Sequence, residues 1–144
     1  MVKFEMSVMI DHPIEEVWKF LTDLSNVPKW ETEINEVRQN TAGQVGVGST
    51  FEIRRKNNMT LPERVTEFEP NRKFTFVVTS GPAKESVVTY SVETVEGKVR
   101  FTSSGDFKFN GFYKLITPFV SGSMKREELA AMGNLKRILE SETK

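Results

Sequence analysis

The chain has 144 residues, with twenty basic and twenty acidic side chains, one histidine and no cysteine. Balanced charge argues against a nucleic-acid binder, which needs a basic excess to neutralise phosphates. The lack of cysteine removes disulfides, thiolate metal sites and cysteine nucleophiles, while eleven phenylalanines supply large buried areas with few polar handles.

Val2, Phe4, Met6, Val8 and Ile10 alternate with mostly polar residues, which predicts a strand with one buried face. No signal-peptide segment precedes it, no apolar run approaches the about 18 residues of a membrane span, and the expected compartment is the cytoplasm. Pro13 suits a first helical position, Glu15 and Glu16 suit a first turn, and Ile14, Val17, Trp18 and Leu21 share one face. A short helix is therefore expected to end near Asp23, with a further helical turn within 24–30.

Beyond Trp30 the period becomes two, and strands are expected over 34–40, 49–56, 59–68, 73–80, 85–95 and 98–109. Asn57-Asn58 is a turn signal and Glu96-Gly97 a hairpin signal. Pro62 inside the third of these strands suggests an edge position or a bulge. From Gly111 the pattern is helical again, irregular around Pro118 and Gly122, with Ser123 as the expected cap of a helix over 124–140. Leu129, Met132, Leu135 and Leu139 form its expected buried stripe.

The order is strand, one or two short helices, six antiparallel strands, long helix, over one domain spanning 1–144. This is an α+β arrangement in which a curved seven-stranded antiparallel sheet offers its concave face to the long helix. Such a sheet is hard to fill to the middle with side chains, and clefts of the kind left behind are common ligand sites.

Several motifs then carry a resemblance. They are Ile10-x-x-Pro13-x-Glu15-Glu16-Val17-Trp18-x-Phe20-Leu21-x-Asp23, Asn26-x-x-x-Trp30, Val45-Gly46-x-Gly48-Ser49-x-Phe51, Glu69-Pro70-x-Arg72-x-Phe74 and Leu135-Lys136-x-x-Leu139-Glu140. In this order they resemble the START-like (SRPBCC) superfamily, in its polyketide cyclase/dehydrase and lipid-transport branch. The resemblance implies a helix-grip fold with a hydrophobic pocket between sheet and long helix. Members bind lipids, sterols, polyketides or similar molecules; some are cyclases, some carriers and some protein cofactors. Catalytic positions differ between branches, so none is carried over.

The ligand-binding candidates are Trp30, Phe51, Ile53, Phe76, Tyr90, Phe101, Ser103, Phe107, Leu129 and Met132. Trp30 either plugs one end of the sheet or borders the entrance. The Tyr90 hydroxyl either orients a ligand or bonds a neighbouring chain group. One of Glu63 and Arg64 faces the concave side if alternation holds, unless a bulge at Pro62 turns both outward. His12, beside Pro13, reads as a helix-entry residue without the partners that a triad or metal site needs. Gly133 either leaves room for a ligand or allows close packing of helix on sheet.

These residues favour a non-catalytic carrier of an apolar small molecule, as monomer or homodimer, with no metal and no cofactor. An alternative is a cyclase-type enzyme that uses Tyr90, Ser103 or the Glu63/Arg64 pair to polarise a carbonyl. A third is a protein-binding module using an apolar patch from Phe112, Tyr113, Ile116 and Phe119.

Overall fold

The structure, a computed structural model, describes residues 2–111 and 117–142, with side chains described for 3–111 and 122–142. Strand β1 (Val2–Ile10) leads into α1 (Ile14–Thr22), a 3-10 turn (Leu24–Asn26) and the single helical turn α2 (Val27–Trp30). Strands β2 (Ile34–Gln39), β3 (Thr50–Arg55), β4 (Thr60–Glu69), β5 (Lys73–Val78), β6 (Val87–Val95) and β7 (Lys98–Phe107) follow, and α3 (Thr117–Ser141) completes the described elements. The expected strands are present, each within a few residues of its predicted bounds.

The strands form one antiparallel sheet in the order β1-β7-β6-β5-β4-β3-β2. The two edges are therefore β1 and β2, and the α1–α2 crossover joins them. Pro13 caps α1 in an extended conformation, and the helix buries Val17, Trp18 and Leu21. Trp18 stands edge-on to Phe68 and Phe74, with ring centroids 5.5 Å away in both cases. Tight turns set the register: Asn58 (φ 68°) and the Glu96-Gly97 pair (φ 51° and 81°) all lie in the left-handed region. Glu96-Gly97 thus closes a two-residue hairpin between Val95 and Lys98 with the primed geometry that matches strand twist.

Three local expectations are corrected. Pro62 lies on an interior strand, opposite Glu52 of β3, and the β4–β5 irregularity falls between Val65 and Glu67 instead. The β4–β5 ladder begins at Glu63↔Val78, so Pro62 sits just past its end, where its carbonyl accepts the Thr79 N–H at 2.9 Å. Helix α3 begins at Thr117 and runs through Gly122, so Ser123 is an interior residue and not a cap. Pro118 falls in its first turn, where proline's missing N–H is no loss. Gly133 is exposed with open space around its Cα, which excludes both close packing and a place beside a ligand.

The core is the concave face of the sheet closed by α3. Leu135 and Leu139 are fully buried, with Ala131 and Met132 nearly so. Polar ties hold the C-terminal half of α3 to the N-terminal elements. Lys136 donates to the Met9 carbonyl at 2.7 Å and to Glu140 at 2.8 Å, while Asn134 donates to the Trp30 carbonyl at 3.2 Å. His12 pairs with Glu142 at 3.7 Å, at the helix-entry corner expected of it.

Candidate functional site

A cavity of about 530 Å³ lies between the concave face and the N-terminal half of α3. Its walls are apolar over most of their area: Phe51 and Ile53 from β3, Leu61 from β4, Phe74 and Phe76 from β5, and Ala131 from α3. An aromatic layer forms the floor, centred on Tyr90. The Tyr90 ring meets Phe76 and Phe101 at 5.3 Å, Phe74 at 5.4 Å and Trp30 at 5.8 Å, three of the four edge-on.

Into this apolar wall the fold turns several carboxyl groups. Glu31 follows α2, and its Oε1 accepts the Tyr90 hydroxyl at 3.0 Å. Glu63 is 3% exposed and alternation puts it on the inner face of β4, between Phe51 of β3 and Val78 of β5. Glu127 and Glu128 reach the cavity from α3. Glu127 is matched by Arg55 of β3 at 2.7 Å, an ion pair bridging sheet and helix beside the opening. Glu63 Oε1 and Glu128 Oε1 are buried without a hydrogen-bond partner.

Burial is the main cause of the resulting electrostatics. It pushes Glu31 up to about 8, with help from the neighbouring Glu128 charge, and the Tyr90 hydrogen bond and Arg55 offset only part of the rise. Burial, and then the Glu31 charge, holds Glu63 well above the usual carboxylate range. Glu128 is also raised by burial, a nearby Ser103 hydroxyl opposing the shift without closing a hydrogen bond of good geometry. Tyr90 is driven upward by burial and by Glu31. At neutral pH Glu31 therefore favours its protonated form, in which it can both donate a hydrogen bond and supply a proton, and burial displaces Glu63 and Glu128 in the same direction.

Of the ligand-binding candidates read from the sequence, Phe51, Ile53, Phe76, Tyr90 and Phe107 lie on the cavity wall. Trp30, Phe101, Ser103 and Met132 are buried behind it. Trp30 does not border the entrance: it is fully buried against Tyr90 and Phe101, with its indole N–H unpartnered. Leu129 is a correction. It is 61% exposed, because α3 turns Met124, Glu127, Glu128 and Ala131 toward the cavity and Leu129 away. Glu63 faces in and Arg64 is exposed, which answers the question of their orientation. The patch expected from Phe112, Tyr113, Ile116 and Phe119 lies outside the described side chains.

Sequence reasoning missed Glu31, Arg55, Glu127 and Glu128. One signal was present: Met124, Glu128, Met132, Leu135 and Leu139 follow a 4, 4, 3, 4 spacing, a helical stripe with a charge inside it. Among the described residues no group of three or more His, Cys, Asp or Glu is arranged to hold a metal ion, and no helix is long and apolar enough to cross a membrane.

Solved structures share this fold at low sequence identity. TTHA0849 from Thermus thermophilus superposes with a TM-score of 0.82 at 13% identity, covering 99% of each chain. The Aha1 dimer from Colwellia psychrerythraea gives a TM-score of 0.67 at 22% identity over 97% of each chain. The di-domain ARO/CYC BexL gives 0.73 at 18% identity, covering 95% of this chain and 46% of its own. No curated protein matches the chain in sequence. The sheet that grips α3 and the cavity between them agree with a sequence match spanning residues 1–140, and the chain belongs to the polyketide cyclase/dehydrase and lipid transport family.

Proposed function

We propose that the chain binds and carries an apolar small molecule in the cavity between the sheet and α3. One observation carries this reading: about 530 Å³ of space, walled over most of its area by apolar side chains, chiefly Phe, Leu, Ile, Val and Ala, with several carboxyl groups turned into that wall. That volume is in the range of small-molecule pockets, and the proportion of apolar wall to polar anchors is theirs too. The family description, which includes lipid transport, supports the reading.

The test is denaturing mass spectrometry of an organic extract from the purified protein, together with titration of the fluorescent apolar dye Nile red. A stoichiometric apolar compound, or saturable dye uptake displaced by it, is the expected result. An empty extract together with no dye uptake would overturn the proposal.

A second reading has its own observation. Glu31, held near 8 beside Tyr90, is a protonated acid at neutral pH inside an apolar cavity. An acid tuned toward neutrality is suited to protonating a carbonyl or a leaving hydroxyl. Incubating the extracted compound with fresh protein distinguishes the two readings. Loss of a water mass, abolished in Glu31→Gln, would favour catalysis; recovery of the compound unchanged favours carriage.

A further inference from the structure

The polar end of the cavity is short of positive charge. Glu31, Glu63 and Glu128 face it from the segment after α2, from β4 and from α3, with Tyr90 on β6 between them. Arg55, the cation on the sheet wall, is already matched to Glu127 at 2.7 Å. Lys125 and Arg126 of α3 and Glu33 are exposed at the rim.

Glu63 carries the inference. Its side chain is 3% exposed, it lines the cavity, and its Oε1 has no donor from the protein. Glu128 Oε1, on α3, is buried in the same condition. A buried acceptor without a donor is unfavourable, more so when it belongs to an ionisable group. The missing complement is a group with several N–H donors and a positive charge. The rings of Tyr90, Phe74 and Phe76, with centroids 5.3 Å to 5.9 Å apart, line the same cavity, and aromatic rings attract organic cations.

We propose that the cavity takes an apolar amine in its protonated form, the ammonium seated among Glu31, Glu63 and Glu128 and the apolar body against Phe51, Phe76 and Ala131. This names the ligand class of the carrier reading and rests on it.

The competing chemistry is a neutral ligand whose oxygen accepts from the protonated acids. Proton counting separates the two. Free amines of this kind are protonated well above neutral pH, as lysine is. An ammonium favours the carboxylate form of one acid facing it, so about one proton leaves the protein as the amine binds. A neutral acceptor leaves the protons in place. Because Glu31 in the empty cavity keeps its proton up to about 8, amine affinity should climb with pH below that value. The rise is about tenfold per pH unit for one proton released, whereas neutral-ligand affinity should be flat and then fall.

The experiment is calorimetric titration of the full chain between about pH 6 and about pH 8, in two buffers of different ionisation heat. The probes are naphthylmethylamine, naphthylmethanol and naphthoate, with Nile red as an uncharged reference. The amine should bind at least about tenfold tighter than the alcohol and release about one proton. Glu63→Gln should cut the amine-over-alcohol preference about tenfold. Equal or tighter binding of the alcohol or the naphthoate, or amine binding without proton release, would overturn the proposal. Nile red uptake with no preference for the amine overturns the amine class and leaves the carrier reading standing. No binding of any of the four overturns both. If Glu63→Gln does not fold, the comparison of probes and the proton count on the unaltered protein decide the matter.

Discussion

Glu63 has Phe51 on one side and Val78 on the other, both nearly fully buried, and that position costs a carboxylate its hydration. The same desolvation acts on Glu31, and its consequence is a stability that depends on pH. Unfolded, Glu31 ionises near 4.5; folded, near 8. Between these values the native state keeps a proton that the unfolded chain has released. Its contribution is thus full below about 4.5 and declines as pH rises, by roughly 1.4 kcal/mol per unit for one group, ending above about 8. Glu67 and Glu140 act in the opposite sense, because Lys73 and Lys136 hold them below the usual value, so their contribution is lost toward acid pH. The melting temperature should fall from about pH 5 to about pH 8, and Glu31→Gln should flatten the slope. A melting temperature level across that range in the unaltered protein would mean that Glu31 ionises normally.

Helix α3 shows at the scale of an element why pattern reading succeeds and fails. Leu135, Leu139 and Met132 were legible as its core stripe because they are apolar at helical spacing, and they are buried. Leu129 was placed inside for the same reason and Glu128 was passed over; the fold exposes Leu129 and turns Glu128 toward the cavity. Apolar patterning identifies the face that lowers the free energy of folding, and a binding site is where that rule is broken. Two glycines give opposite predictions. Gly133 has open space around it on the outer face of α3, so Gly133→Ala should raise stability by about 0.5–1 kcal/mol. At Gly105 of β7, an added Cβ would stand 2.5 Å from the Val87 carbonyl oxygen and 3.0 Å from the Phe4 ring. Gly105→Ala should destabilise by about 1–3 kcal/mol. Urea unfolding of both variants measures the pair, and equal effects of one sign would contradict the packing described.

Across the whole molecule, the proposed function depends on the gap between the sheet and the N-terminal half of α3. The C-terminal half of α3 is clamped through Lys136, Asn134 and the buried Leu135 and Leu139, while the Arg55–Glu127 ion pair ties its other half to the sheet beside the cavity. Ala131 sits where the packed half gives way to the open half, buried yet on the cavity wall. Ala131→Phe should weaken Nile red binding roughly tenfold with little loss of stability, since the ring enters existing space. Leu139→Ala, in the packed half, should cost about 2–5 kcal/mol. Thermal melts and dye titrations of the two variants read the contrast, and a severe loss of stability in Ala131→Phe would mean that no such space exists. The sequence by itself determined the elements, their antiparallel order and the family, because the period of apolar residues and the chemistry of turns are local properties. It also determined that Phe51, Phe76 and Tyr90 point inward, since alternation along a strand has only two faces. Only the tertiary structure decided that Glu31, Glu63 and Glu128 share one cavity. Their proximity depends on the curvature of the sheet and the rotation of α3 about its axis, and neither is written in any local run of residues.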